Sequence, residues 1–312
     1  MASAEMTRRA AVIFPGQGSQ QPGMGAPWKG TDEWSIAERV SEWTGYNMAN
    51  VLLAADAERL RQTDIAQLSI FTASMMGLAY LRRVRPAVAE TIEAYAGHSV
   101  GECTALVAAG ALSLRDGARL VARRGSAMRT AARRHPGTMA VLAGDLDAVQ
   151  SLVDAVGAEV WVANVNDPRQ VVVSGAGPAV EEVVDAAHRM EMRTIHIMVA
   201  GAFHTPLMMS AVPALREAVK EANFTEGHAP VAANVDGLIH RGREWRDLLI
   251  RQLTAPVQWQ GCIEQLVQTW GCDTIVEIGP RRTLTGTIRR SGLAATSHYA
   301  GSPHDIEQLS FG

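Results

Sequence analysis

A serine between two glycines, placed where a strand pattern gives way to a helix pattern, constrains this chain more than any other feature. The segment Gly97-His98-Ser99-Val100-Gly101 follows the apolar stretch 92–96 and precedes a helical pattern over 102–111. Flanking glycines permit a sharp turn that lifts the hydroxyl out of the sheet. Unpaired N–H groups at the start of the next helix can stabilise an oxyanion. The segment therefore predicts an α/β fold with Ser99 as a nucleophile; the alternative is a helix start that Ser99 merely caps.

The rest of the chain favours a large α/β domain around this turn. Strand patterns at 10–14, 231–235 and 274–278 alternate with helical patterns at 114–132, 244–253 and 259–270. Such alternation predicts a mostly parallel sheet covered by helices. The last dozen residues show no such pattern, and we expect them to form a loose tail.

The middle of the chain has a different rhythm. Between residues 139 and 199 the patterns run strand, helix, strand, strand, helix, strand. This order is the split βαβ plan of a ferredoxin-like (βαββαβ) unit. We therefore predict a small subdomain at 134–199, inserted into a large core formed by 1–133 and 200–312.

Composition narrows the classes of function. The 312 residues are 47% hydrophobic with a formal net charge of −3, which argues against a nucleic-acid partner. Cys103, Cys262 and Cys272 form no CxxC pair, so the sequence predicts no metal site and no disulfide framework. No apolar stretch has the length of a membrane span or signal peptide. We expect a cytoplasmic protein without a membrane partner, with a monomer as the default.

A serine nucleophile needs a base, and His204 is the candidate. It lies in the segment 201–208, directly after the last strand of the predicted insertion, although a single histidine is more often structural. His98 is adjacent to Ser99, so its side chain should point elsewhere. Asp167 and Asp185 lie between Ser99 and His204 but inside the insertion. We therefore expect the histidine to be held by a group other than a carboxylate.

Two further residues fit acyl chemistry. The turn 15–20 after the first strand lacks both the GxGxxG and the Walker A patterns, so its backbone N–H at Gln17 is a candidate oxyanion donor instead. Arg124, in the helix pattern 114–132, would pair bidentately with a carboxylate if it lined an acyl pocket. A solvated arginine on a helix face is the alternative.

Together these segments resemble the malonyl-CoA:acyl-carrier-protein transacylases and the free-standing acyltransferases of polyketide synthesis. The matching stretches run in family order to about residue 290: FPGQGSQ (14–20), GHSVGE with TALVAAGALS (97–113), RLVARRGSAM (119–128), NVNDPRQVVVSG (164–175), GAFHTPLM (201–208), ANVDG (233–237), RQLTAPVQW (251–259) and EIGPRRTLTG (277–286). The resemblance implies a hydrolase-like core with a ferredoxin-like insert.

The resemblance also implies a role for each matching residue. Ser99 would accept the acyl group and His204 would serve as its base, with the backbone at Gln252 orienting the histidine. The backbone N–H groups of Gln17 and Val100 would bind the oxyanion. Arg124 would bind the malonyl carboxylate, and Phe203 would affect acyl selectivity. Cys103 and the pair Arg281-Arg282 depart from the usual family residues.

The implied reaction moves a malonyl or related carboxyacyl group from coenzyme A to the phosphopantetheine thiol of an acyl carrier protein through an acyl-serine. No cofactor is implied beyond the coenzyme A thioester substrate. The alternatives are an acyl hydrolase acting on carrier-bound groups, a trans-acting acyltransferase with a non-malonyl substrate, and a non-enzymatic carrier-binding scaffold. Candidate contacts for an acidic carrier are Arg129, Arg133, Arg134, Arg281, Arg282, Arg289 and Arg290.

Overall fold

The strands lie in two separate sheets. The computed structural model describes residues 8–157, 159–199 and 201–311. Its larger sheet has the order β10-β9-β1-β2-β7-β8 and is parallel except for β8, which pairs antiparallel with β7. The strands of this sheet are β1 (Ala10–Phe14), β2 (Ile92–Gly97), β7 (Val231–Ala232), β8 (Ile239–His240), β9 (Thr274–Ile278) and β10 (Thr296–Ala300). The prediction of a mostly parallel sheet is confirmed.

Helices cover the larger sheet. Those of the larger part of the chain are α1 (Trp34–Thr44), α2 (Met48–Ala54), α3 (Ala57–Arg61), α4 (Thr63–Val84), α5 (Pro86–Glu90), α6 (Val100–Ala108), α7 (Leu114–Arg134), α10 (Val212–Glu221), α11 (Trp245–Gln252), α12 (Trp259–Glu264), α13 (Thr285–Ser291) and α14 (Pro303–Glu307). Short 3-10 turns occur at Ala26–Trp28, Pro206–Ala211 and Gly242–Glu244, and a π-helical turn at Gln265–Thr269 follows α12. α4 is buried along most of its length and packs against α7.

The smaller sheet is antiparallel and has a core of its own. Its strands are β3 (Thr138–Leu142), β4 (Val160–Asp167), β5 (Gln170–Gly175) and β6 (Thr194–Ile197), in the order β4-β5-β3-β6. Apolar residues of α8 (Leu146–Val156) and α9 (Gly177–Arg189) pack against it. This strand order and the two helices confirm the ferredoxin-like plan. The exact boundary of 134–199 stays a prediction, and the predicted domain limits at residues 1, 200 and 312 lie outside the described residues.

The two sheets are joined beside the turn that follows β2, where His98 Nε2 lies 3.0 Å from Asn166 Oδ1. Val257 hydrogen-bonds through its backbone to Ala163 and Val165 of β4, and Asp167 at the end of β4 is buried and paired with Arg290 of α13 at 2.8 Å. The smaller sheet is therefore held against the larger domain on the side where β2 ends.

The C-terminal segment is not the loose tail that the sequence predicted. Within the last dozen residues, α14 follows directly after β10, the outer strand of the larger sheet. Ile306 and Leu309 are buried against the main core, and Tyr80 of α4 donates a hydrogen bond to Glu307. The prediction was wrong because one buried apolar residue every three positions carries too weak a periodic signal. In the described ranges, no helix has the length and apolarity to cross a membrane.

Candidate active site

The serine turn is built by close backbone contacts at the carboxyl end of β2. Ser99 has φ 53° and ψ −109°, a conformation rare for a non-glycine residue. A side chain at Gly97 would lie 1.9 Å from the backbone of Gly101, and one at Gly101 would lie 2.2 Å from the carbonyl oxygen of Phe14. Only glycine fits at both positions, so the strained turn depends on this pair. The half-buried Ser99 directly precedes α6, and its side chain does not cap the helix.

The structure brings Ser99 and His204 together. Ser99 Oγ lies 2.8 Å from His204 Nε2, and His204 Nδ1 lies 2.9 Å from the backbone carbonyl oxygen of Gln252. A carbonyl only accepts hydrogen bonds, so Nδ1 carries the proton and Nε2 is free to accept from the serine hydroxyl. The backbone of Gln252 thus sets the tautomer that a general base requires.

Arg124 is the buried cation of the site. Its residue exposure is 1%, and Nη2 donates to Ser99 Oγ at 3.1 Å and to Gln252 Oε1 at 2.7 Å. Nη1 donates to Gln67 Oε1 at 2.6 Å, whereas Nε is buried without a hydrogen-bond partner. Among the described residues, no carboxylate forms an ion pair with Arg124. A buried guanidinium in this state is suited to a carboxylate ligand.

Burial sets the charge state of the imidazole. The pKa of His204 is lowered to about 3 by desolvation and by the nearby positive charge of Arg124. His98, whose Nε2 lies 3.0 Å from Asn166 Oδ1, has its pKa lowered to about 4 by burial. At neutral pH both rings are therefore neutral, and His204 is able to accept a proton from Ser99.

The remaining predicted residues surround the serine turn. Val100 is buried at the first position of α6, directly beyond Ser99. Gln17 is half-buried in the loop after β1, where the neighbouring Gly16 approaches the carbonyl oxygen of His98. Phe203 is buried beside His204, against the core of the larger domain. These three positions lie at the site, and their roles stay predictions.

The expectation that no carboxylate holds the histidine agrees with the geometry. His204 Nδ1 contacts a backbone carbonyl, and Asp167 binds Arg290 and the backbone N–H of Arg169 instead. Asp185 lies on α9 of the smaller sheet. Of the arginines proposed to contact a carrier, Arg290 is held by Asp167 and Arg129 by Asp64 at 2.8 Å. The others are exposed at the residue level: Arg133, Arg134, Arg281, Arg282 and Arg289.

Sequence reasoning missed three residues of the site. Asn234, just after β7, accepts a hydrogen bond from the backbone N–H of Ser99 at 2.7 Å and donates to the carbonyl oxygen of Gly97 at 2.8 Å. Glu102 contacts both Asn234 and Gln252, and Gln67 of α4 contacts Arg124. The place of Asn234 just after a predicted strand was the one signal in the sequence that could have found it, because the carboxyl ends of parallel strands meet at one edge of a sheet.

Comparison with known proteins gives the same picture. A malonyl CoA-acyl carrier protein transacylase of Bacillus subtilis is 33% identical over 309 residues, covering 96% of this chain and 95% of the relative. A solved acyl-carrier-protein S-malonyltransferase of Bartonella henselae superposes with a TM-score of 0.90 at 33% identity, covering 96% of this chain and 97% of that one.

A malonyl-transacylase solved in complex with its type II polyketide-synthase acyl-carrier protein superposes with a TM-score of 0.89 at 30% identity, covering 96% and 97% of the two chains. The family model described as the acyl transferase domain matches residues 12–300. The chain thus belongs to the acyl transferase domain family, and it is an enzyme with the fold of the malonyl transacylases.

Proposed function

We propose that this enzyme transfers a malonyl group from coenzyme A to the phosphopantetheine thiol of an acyl carrier protein through an acyl-Ser99 intermediate. The observation that carries the proposal is the position of Ser99 Oγ, 2.8 Å from His204 Nε2 and 3.1 Å from Arg124 Nη2. One oxygen atom thus lies between a neutral base and a buried cation. The relatives named above act on the same acyl group.

His204 begins the reaction by taking the proton of the Ser99 hydroxyl as Oγ attacks the thioester carbonyl carbon. The C–S bond then breaks, and the imidazolium returns its proton to the sulfur of coenzyme A. In the second half, the carrier thiol enters and His204 takes its proton. The thiolate attacks the acyl-serine, and the serine oxygen leaves with that proton.

The backbone N–H of Val100 supports the oxyanion of each tetrahedral intermediate. It belongs to the first turn of α6, where N–H groups have no partner within the helix. The backbone N–H of Gln17 is the second proposed donor, from the loop that borders the turn. Ser99 cannot supply its own N–H, because Asn234 Oδ1 already accepts it.

Arg124 selects acyl groups that end in a carboxylate. Its Nε has no partner, and Nη2 shares its protons with Gln252 and Ser99. An uncharged acyl group would leave this buried cation uncompensated, at a cost of about 2–5 kcal/mol. Phe203 bounds the acyl pocket beside His204 and favours the small malonyl group in this proposal.

The location and partners follow the same proposal. We place the enzyme in the cytoplasm with malonyl-CoA and an acyl carrier protein as its substrates, because the three cysteines are free and buried and the reaction uses a thiol substrate. The exposed arginines among those proposed to contact a carrier would face its acidic helix.

Mass spectrometry of the intact protein tests the function. Incubation with malonyl-CoA should add one malonyl group to the wild-type chain, and a carrier protein in its phosphopantetheine form should then remove it. Ser99→Ala should stay unlabelled, with Ser174→Ala in β5 of the smaller sheet as a control for loss of a buried hydroxyl elsewhere. Labelling that persists in Ser99→Ala would rule out the proposed nucleophile.

A further inference from the structure

Behind the serine turn lies a buried carboxyl group that the reaction as described does not use. Glu102, in the first turn of α6, is fully buried. Its Oε1 accepts the backbone N–H of Asn234 at 2.6 Å, and its Oε2 accepts from Gln252 Nε2 at 2.6 Å. Both partners are themselves fully buried and both contact Ser99.

The local sequence would place this carboxyl elsewhere. Ser99 and Glu102 have the spacing of a capping box, in which the glutamate reaches back to the backbone N–H of the serine. Here Asn234 Oδ1 takes that N–H, and the serine hydroxyl faces His204. Glu102 is thereby directed to residues of other elements, which a helix cap does not explain.

The carboxylate fixes which way the side-chain amide of Gln252 points. Because Oε2 of Glu102 accepts a hydrogen bond, the NH2 group of Gln252 must face it, and Oε1 of Gln252 must face Arg124 Nη2. The backbone carbonyl of the same residue holds His204 Nδ1. One residue therefore contacts both the cation and the base.

We propose that Glu102 is a positioning residue that, by orienting Gln252, sets the Arg124 guanidinium and the His204 ring in register with Ser99. The proposal rests on the proposed function, since it assigns Arg124 to the acyl carboxylate. It predicts a change in acyl selectivity as well as in rate.

A glutamine at position 102 cannot make both contacts. Glu102 accepts two N–H donors, whereas a glutamine offers one acceptor oxygen and one NH2 group. Its NH2 group would face either the N–H of Asn234 or the NH2 group of Gln252. If the side-chain amide of Gln252 rotated by 180° to avoid this, its own NH2 group would face the NH2 group of Arg124. A contact between two hydrogen-bond donors would then arise at Arg124 instead.

The electrostatic surroundings agree with a strongly constrained carboxyl. Burial raises the pKa of Glu102 to about 8, while the hydrogen bonds from Asn234 and Gln252 and the positive charge of Arg124 lower it. The charge of Asp236 also raises it, and Cys262 of α12 is a buried thiol beside the same group. Each of the two donors favours the ionised form, which predominates above about pH 8.

The test compares two acyl groups in Glu102→Gln. We expect its kcat/KM for malonyl-CoA to fall about 10- to 100-fold, as when a supporting hydrogen bond behind an active-site group is removed. The ratio of malonyl to acetyl transfer should fall at least about fivefold, because Arg124 loses its support. A purely structural role would lower both rates with the folded fraction and leave the ratio unchanged.

Glu277→Gln is the matched control. Glu277, at the end of β9, is likewise fully buried and accepts the backbone N–H groups of Thr283, Leu284 and Thr285. This variant should lose stability without changing the acyl ratio. Equal changes of the ratio in both glutamine variants would overturn the proposal.

Gln252→Leu keeps the proposal testable if Glu102→Gln does not fold. It removes the amide but leaves the backbone carbonyl, and it should lower the same ratio. Where Glu102→Gln folds, the double variant Glu102→Gln/Gln252→Leu should have an acyl ratio no lower than that of the more damaged single variant, because both residues act through one chain of contacts. A wild-type ratio in Gln252→Leu, or additive losses, would refute the role of Glu102. Absence of malonyl labelling in the wild type would instead refute the proposed function.

Discussion

Removing the guanidinium of Arg124 should lower the selectivity for malonyl over acetyl groups without abolishing acyl transfer. Arg124→Ala deletes a cation that is 99% buried and has no carboxylate partner within the described part of the chain. A buried, charge-assisted pair of this kind loses about 2–5 kcal/mol when one partner is truncated. This corresponds to a loss of about 30- to 4,000-fold in kcat/KM for malonyl-CoA.

Acetyl transfer should respond in the opposite sense or not at all. With an acetyl group bound, the wild-type enzyme holds an uncompensated cation 3.1 Å from Ser99 Oγ. The alanine variant removes that cation, so the rate with acetyl-CoA should stay within about threefold of wild type or rise.

Stopped-flow measurement of coenzyme A release gives the rate of serine acylation with each substrate. Arg123→Ala is the control, because Arg123 is the neighbouring residue of α7, is half-exposed and pairs with Glu221 at 3.2 Å. It should change neither rate. Equal losses of malonyl and acetyl transfer in Arg124→Ala would refute the carboxylate role and assign Arg124 to the support of Ser99.

Two further predictions concern protonation and the serine turn. Because the pKa of His204 in the free enzyme is lowered to about 3, kcat/KM for Ser99 acylation should show no loss from histidine protonation between pH 7 and pH 5; a fall in this kcat/KM with a midpoint near pH 6.5 that follows His204 would contradict it. Asn234→Ala should lower the free energy of unfolding in urea by about 2–4 kcal/mol and slow Ser99 labelling, since it removes two buried hydrogen bonds that hold the strained turn. Asn47→Ala, which removes only the surface cap of α2, should cost about 1 kcal/mol and leave labelling unchanged; equal labelling in both variants would contradict the role of Asn234 in holding the serine turn.

The sequence predicted those elements whose burial is continuous or sharply periodic. All five residues of β1 are buried, and its apolar run marks a central parallel strand from composition alone. The order of strands and helices in the inserted unit was predicted correctly, because its helices each turn one apolar face to one sheet. The strand β10 was missed, since it is a half-exposed edge strand that mixes polar residues with apolar ones.

The residues of the site also differ in how far the sequence predicts them. Ser99 stands in a short motif whose local pattern predicts its chemistry, His204 was a candidate base from its position after the insertion, and the role of Arg124 followed from the family resemblance. Asn234 and Glu102 do not, because their importance arises from contacts between residues 132–150 positions apart in sequence. Only the convergence of β2, β7 and α11 at one edge of the sheet brings these groups together, and no local pattern in a single sequence records it.

The absence of a carboxylate behind His204, within the described residues, makes electrostatic sense beside Arg124. In the proposed mechanism the imidazole becomes a cation while Ser99 attacks; burial and the charge of the guanidinium both oppose this, and both lower the pKa of His204. In the same proposed mechanism, a malonyl carboxylate paired with Arg124 would neutralise the guanidinium when His204 takes the proton. The substrate would then supply the negative charge that an aspartate supplies in a Ser-His-Asp triad, and it would raise the basicity of His204 only when the correct acyl group is bound. The preference for malonyl over acetyl would then arise in the chemical step as well as in binding. The ratio of the two kcat values should therefore favour malonyl, in addition to any difference in the affinity of the two substrates.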